Sequence, residues 1–207
     1  MLQKNEMIDK AEAIKGIYKQ IELEDKAQSL DGVGMTIVYP GGNPYADLML
    51  IGEGPGAQEE IKQHPFVGRA GLFLKDSLQG LGFDMERDFY ITNVVKHRAF
   101  KVTESGEKTN KPPTAKQINV ERKYLTQEIE VIMPRLAVAL GAIASQWFFG
   151  KSFGLTESHG TLLSWHEIKV LPTFHPSAIL RALGTKSGKE RRSEFIDDLK
   201  HIRELYP

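Results

Sequence analysis

The chain has 207 residues, 41% hydrophobic and 26% charged, the composition of a globular protein long enough to bury a substantial core. Lysine and arginine balance aspartate and glutamate to a formal net charge of +0, which excludes a protein that coats nucleic acid by bulk charge but not one whose basic residues gather at a site. There is no cysteine, and with it go disulfides, thiolate nucleophiles, cysteine-ligated zinc and an ordinary cysteine-bound iron–sulfur cluster.

Residues 1–30 are polar, with Met7, Ala11, Ile14, Ile17 and Ile21 at helical intervals, and predict an amphipathic helix packed on the body. The stretch "DGVGMTIVYPGGNPYAD" (31–47) reads as a turn-rich connection. The apolar run "DLMLIGE" then predicts a buried strand, followed by a glycine-rich loop and a helix over 70–81. A second strand, "DFYITNVV", leads into the polar loop "KHRAFKVTESGEKTNKPP" and a helix over 114–133. "RLAVALG" is a third strand, with a helix over 142–149 behind it. "GTLLSWHEIKVLPTF" predicts a hairpin feeding a strand, then "HPSAILRAL" and a last helix over 189–205. No stretch has the roughly 20 apolar residues that span a bilayer, and the N-terminus lacks a signal-peptide pattern, so a cytoplasmic protein without membrane contact is expected.

Apolar strands alternating with helices imply an α/β fold, a mostly parallel sheet covered on both faces, in one domain over 1–207. Ligands of such sheets bind outside the carboxyl ends of the strands. Three unusual segments fall there: the loop "GEGPGAQEEIKQHPFVGRAG" (52–71), Thr92 and Asn93, and His175, Pro176 and Ser177. Glycines between a strand and a helix let backbone lie close to a ligand. A phosphate cradle would pair them with lysine or arginine, whereas here Glu53, Glu59 and Glu60 come first. Taken singly, each feature has a plain account. The glycines make a tight turn, Asn93 satisfies a strand end, Ser177 caps a helix, and Phe66, Trp147, Phe148 and Phe149 fill the core.

The order of the features is more specific. Strand–GEGPG, then PFVGRAG, then strand–TNVVK, then strand–TFHPSA resembles the uracil-DNA glycosylase superfamily, and family 4 most, from about residue 47 to 182. The resemblance implies a three-layer αβα sandwich around a mostly parallel four-stranded sheet, and a monomeric, monofunctional DNA glycosylase of base excision repair whose partner is DNA carrying uracil or another deaminated base. It implies that Phe66 stacks on a base flipped out of the helix, that Asn93 reads its edge and that His175 stabilises the departing anion. Gly54 and Gly56 give close backbone approach. Gly54 stands where the best-known uracil glycosylases carry a water-activating aspartate, so Glu53 and Glu59 are the candidate carboxylates, with a loop-holding role for Glu53 equally open. Ser177, Ile179, Leu180 and Arg181 would meet the DNA, Ile179 or Leu180 as a wedge unless it faces the core. Lys96, His97, Arg98, Lys101 and the cations of 186–192 would line the rim.

Two departures matter. Family 4 holds a [4Fe–4S] cluster through four cysteines, and this chain has none. His97 and Glu121 match two of those positions, and Tyr18 and Ile21 lie near the other two. No cofactor or metal is therefore expected, with packing or ion pairing around Glu121 in the cluster's place. A related branch that cross-links to uracil-containing DNA ends a basic loop in a nucleophilic histidine; near that place stands Asn110, a poor nucleophile, so no covalent trap is expected. Two other classes remain open: a DNA- or uracil-binding module with little turnover, and a nucleotide-binding α/β protein.

Overall fold

The computed structural model describes residues 9–24, 26, 27 and 29–206. Helix α1 (Lys10–Glu24) turns Ile14, Ile17, Tyr18 and Ile21 inward at helical spacing, while Met7, expected on the same face, lies outside the described residues. Strand β1 (Val33–Ile37) and the two-residue β2 (Gly41–Gly42) follow. Strand β3 (Leu48–Gly52) leads through the glycine loop to helices α2 (Ala57–Lys62), α3 (Arg69–Gly80) and the one-turn α4 (Met85–Asp88). Strand β4 (Phe89–Asn93) is followed by β5 (His97–Val102) and β6 (Lys108–Asn110). Helix α5 (Ala115–Ile132) starts at Thr114, whose hydroxyl accepts the Gln117 N–H. Then come β7 (Leu136–Leu140), α6 (Ala142–Phe149), α7 (Leu155–Ser158), β8 (Leu163–Trp165), β9 (Ile168–Thr173), α8 (Pro176–Ala182) and α9 (Lys186–Leu205). Among the described residues no helix is long and apolar enough to cross a membrane.

The central sheet runs β2-β4-β3-β7-β9-β8. Its four middle strands are parallel, as the apolar runs require, but antiparallel β2 and β8 extend each edge, so the sheet has six strands where four were expected. Strand alternation divides the core in two. Met49, Ile51, Tyr90, Ala137 and Ala139 pack under α1, α5 and α6 against Ile14, Leu125 and Trp147. Leu48, Leu50, Phe89, Ile91 and Val138 meet Leu74, Leu78, Phe195 and Leu199 of α3 and α9 on the other face. Register pairs Gly52 with Asn93 and Leu140 with Thr173, so the strands end together at one margin.

Within the expected turn-rich stretch 31–47 and polar loop 97–113, β1, β5 and β6 are instead partners in a second, three-stranded sheet of order β1-β5-β6. β5 begins directly after "TNVVK" and pairs β1 through Val33↔Ala99, then folds back on β6 through Phe100↔Asn110. This hairpin leaves β4 at the ligand end of the central sheet.

Candidate active site

Glycine makes room where the strands end. A Cβ at Gly52 would collide with the Asn93 amide oxygen and come 2.7 Å from the Phe66 ring. A Cβ at Gly71 would collide with the Phe66 carbonyl oxygen, and Phe66 itself turns at φ 54°, which drives its ring inward over the strand margin. The ring lies 6.3 Å from that of His175, nearly parallel at 28°. Gly141, at φ 91°, backs the histidine, since a Cβ there would stand 2.8 Å from His175 Cβ. Phe66, Asn93 and His175, far apart in sequence, thus face one cavity of about 590 Å³, together with Glu53, Gly54, Gly56, Glu59, Ser177 and Arg181.

The two candidate carboxylates meet different surroundings. Glu59 Oε2 accepts the Gly56 N–H at 3.2 Å and Oε1 accepts the Gly68 N–H at 2.6 Å. Those glycines cap α2 and α3, so Glu59 fastens the glycine loop to the turn that carries Phe66. The Glu53 main-chain carbonyl accepts the Val95 N–H at 3.3 Å, but its carboxylate accepts no hydrogen bond from the described residues; burial raises its pKa, the charge of Arg181 offsetting part of the effect. Its oxygens are left for the cavity.

His175 caps α8: its Nδ1 accepts the Ser177 N–H at 3.2 Å, with the Ser177 hydroxyl 2.8 Å away. Because Nδ1 accepts, the ring proton sits on Nε2. Burial, and secondarily Arg181, lowers the histidine to about 4, so it is neutral at pH 7 and still donates from Nε2. Arg181 Nη1 donates to Ser177 Oγ at 3.2 Å, which aligns the three side chains along the first turns of α8.

Beneath the cavity floor the expected rim cations are buried. Lys96, 1% exposed, donates to the Asn93 carbonyl and Thr92 Oγ1 at 2.7 Å each and to Glu128 at 2.5 Å. Glu128 also accepts from Tyr18 at 2.8 Å and Tyr90 at 2.9 Å. A short backbone-anchored path after β4 draws Lys96, His97 and Arg98 inside, and none of them reaches a DNA rim. Lys101 and the cations of 186–192 are exposed but lie outside the cavity. Ile179 is fully buried in the core beside Phe66 and Leu74, so it presents no wedge, whereas Leu180 is half-buried and Arg181 exposed.

The residues do not fit a [4Fe–4S] cluster. His97 Nδ1 lies 3.5 Å from Glu121 Oε2, both fully buried, and Glu121 also accepts the Lys96 N–H and the Gln117 amide. Tyr18 is committed to Glu128 and Ile21 to the core. This oxygen and nitrogen set contains no thiolate, and among the described residues no cluster of potential metal ligands occurs. Sequence reasoning set Asn110 near the place of a nucleophilic histidine but missed Arg69, Lys111, Pro112 and Pro113 as cavity lining. They arrive with the β5–β6 hairpin or the start of α3, and no motif marks a hairpin as a wall.

The family model of the uracil DNA glycosylase superfamily matches residues 39–200. The type-4 uracil-DNA glycosylase of Thermotoga maritima is 40% identical over 170 residues, covering 81% of this chain and 82% of the relative. That of Sulfurisphaera tokodaii is 35% identical over 180 residues, covering 82% and 75%. The crystal structure of wild-type SMUG2 from Pedobacter heparinus superposes at a TM-score of 0.54 and 12% identity over 93% of this chain and 97% of that one, a likeness of fold alone. Converging strand ends, a ring, an amide and an imidazole about one cavity, and these relatives agree: the chain belongs to the uracil DNA glycosylase superfamily, as a cysteine-free relative of its type-4 members.

Proposed function

We propose that this protein is a monofunctional uracil-DNA glycosylase of base excision repair that accepts a base rotated out of DNA and hydrolyses its N-glycosidic bond. The observation that carries the reading is the grouping of Phe66, Asn93 and His175 about one cavity with the free carboxylate of Glu53. Phe66 offers a flat apolar face to the base. The Asn93 amide donates to O4 and accepts N3–H, a pattern that suits uracil and that cytosine reverses. His175 Nε2–H donates to O2, where negative charge grows as the base leaves.

Cleavage moves the N1–C1′ bonding pair onto the base and leaves positive character on the sugar. Glu53 stabilises that sugar and orients a water, whose oxygen bonds to C1′. The water's proton passes to the carboxylate and then to the departing uracil anion. Glu59 acts indirectly by holding the loop. Arg69, Lys111 and Arg181 at the cavity offer charge to the flanking phosphates, and Leu180, with surface that Ile179 lacks, is the residue that enters the space left by the base.

A uracil-containing oligonucleotide incubated with the protein and cleaved with alkali tests this reading. Strand scission at the uracil position is expected. Binding of the same oligonucleotide without abasic product, at enzyme excess, would leave a binding module, a reading that the absence of a carboxylate at Gly54 motivates.

A further inference from the structure

Arg98 is 6% exposed and lies behind the cavity wall, outside its lining. From β5 its guanidinium reaches β6 and α2: Nε donates to Asn110 Oδ1 at 2.7 Å, Nη2 to the Lys108 carbonyl at 3.1 Å, and Nη1 to Glu60 at 3.1 Å. Glu60 supplies the matching charge from α2, next to the loop-fastening Glu59. Asn110 does line the cavity, and its Nδ2 stands 3.0 Å from where a Cβ at Gly56 would be.

We propose that Arg98 is a positioning residue that fixes which end of the Asn110 amide faces the ligand. Guanidinium has donors only, so the atom toward it must be the amide oxygen. The NH2 end is left for the cavity, and this wall presents a hydrogen-bond donor to an oxygen of the bound nucleotide or of its attacking water. A lone asparagine at the end of β6, away from the hairpin turn, would rotate and offer either end. Lysine at position 98 would keep the charge for Glu60 but not the fork that takes Oδ1 and the Lys108 carbonyl together.

The inference rests on the glycosylase reading for its effect on rate, but not for its geometry, and the tests separate the two. In 15N-labelled protein without ligand, the Asn110 side-chain NH2 pair is expected to be shifted from free-amide positions and to move toward them in Arg98→Lys; unchanged resonances overturn the proposal whether or not the protein excises uracil. In single-turnover excision, Asn110→Ala and Arg98→Lys are each expected to lose about tenfold or more, with Arg98→Lys costing nothing further in the Asn110→Ala background. Factors that multiply would mean that Arg98 acts elsewhere, and would overturn it. Asn110→Asp keeps the Arg98 contact but removes the donor: melting at or above the wild-type temperature with lost excision is expected, and full excision overturns the proposal even if Arg98→Lys does not fold. Wild-type protein that fails to excise uracil sinks the functional reading and leaves the amide resonances to decide this one.

Discussion

Glu53 and Glu59 leave the same strand end close together, yet only one carboxylate is uncommitted. Glu59 is held by two backbone N–H groups, while the half-buried Glu53 carboxylate has no hydrogen-bond partner among the described residues and has its pKa raised. A carboxyl whose folded pKa exceeds its unfolded value binds more protons in the folded state, so stability falls as pH rises from 4.5 through the raised value. Glu53→Gln removes that penalty, and we expect a higher melting temperature at pH 7 together with excision reduced by about 100-fold or more. The acid limb of the wild-type pH–rate profile should lie above 4.5 and disappear in Glu53→Gln; an unaltered limb would reassign it. His175 does not supply that limb, because it is neutral down to about 4. The sequence made both glutamates visible as candidates, but which one was free depended on where Gly56 and Gly68 point their N–H groups, and no spacing encodes that.

The elements most legible from sequence were those buried on both faces. "LMLI" and "LAVAL" have no polar residue to place, so they admit only central parallel strands, and the register that brings Asn93 to Gly52 follows. Sequence patterning failed where charge was buried. "VVKHR" reads as a basic approach to DNA, yet its Lys96, His97 and Arg98 side chains turn inward to Glu128, Glu121 and Glu60 from helices distant in sequence. β1 was missed because a glycine interrupts a short strand that alternates only in part, and the β5–β6 hairpin because its outer half is polar. The Lys96–Glu128 pair gives a test at this scale. Lys96→Met strands a buried carboxylate and releases the Asn93 carbonyl, and should cost about 3–5 kcal/mol in urea denaturation. Adding Glu128→Leu should recover much of the loss; a single variant as stable as wild type would contradict the buried pairing.

Across the whole molecule, charge balances to zero while Arg69, Lys111 and Arg181 gather at the cavity around Glu53. DNA binding through these few cations should weaken with salt on a shallow slope, log K against log[salt] of about −2 to −3 for duplex DNA. A slope of about −6 or steeper would require a far larger basic footprint. All of these expectations need one cavity to receive a rotated-out uracil. The most direct test of this is single-turnover release from oligonucleotides that differ only in carrying uracil, hydroxymethyluracil, hypoxanthine, xanthine or cytosine, with enzyme in excess. The expected result is abasic product fastest from uracil and none from cytosine, whose edge presents the reverse donor–acceptor pattern to Asn93; no abasic product from any of the five would contradict this.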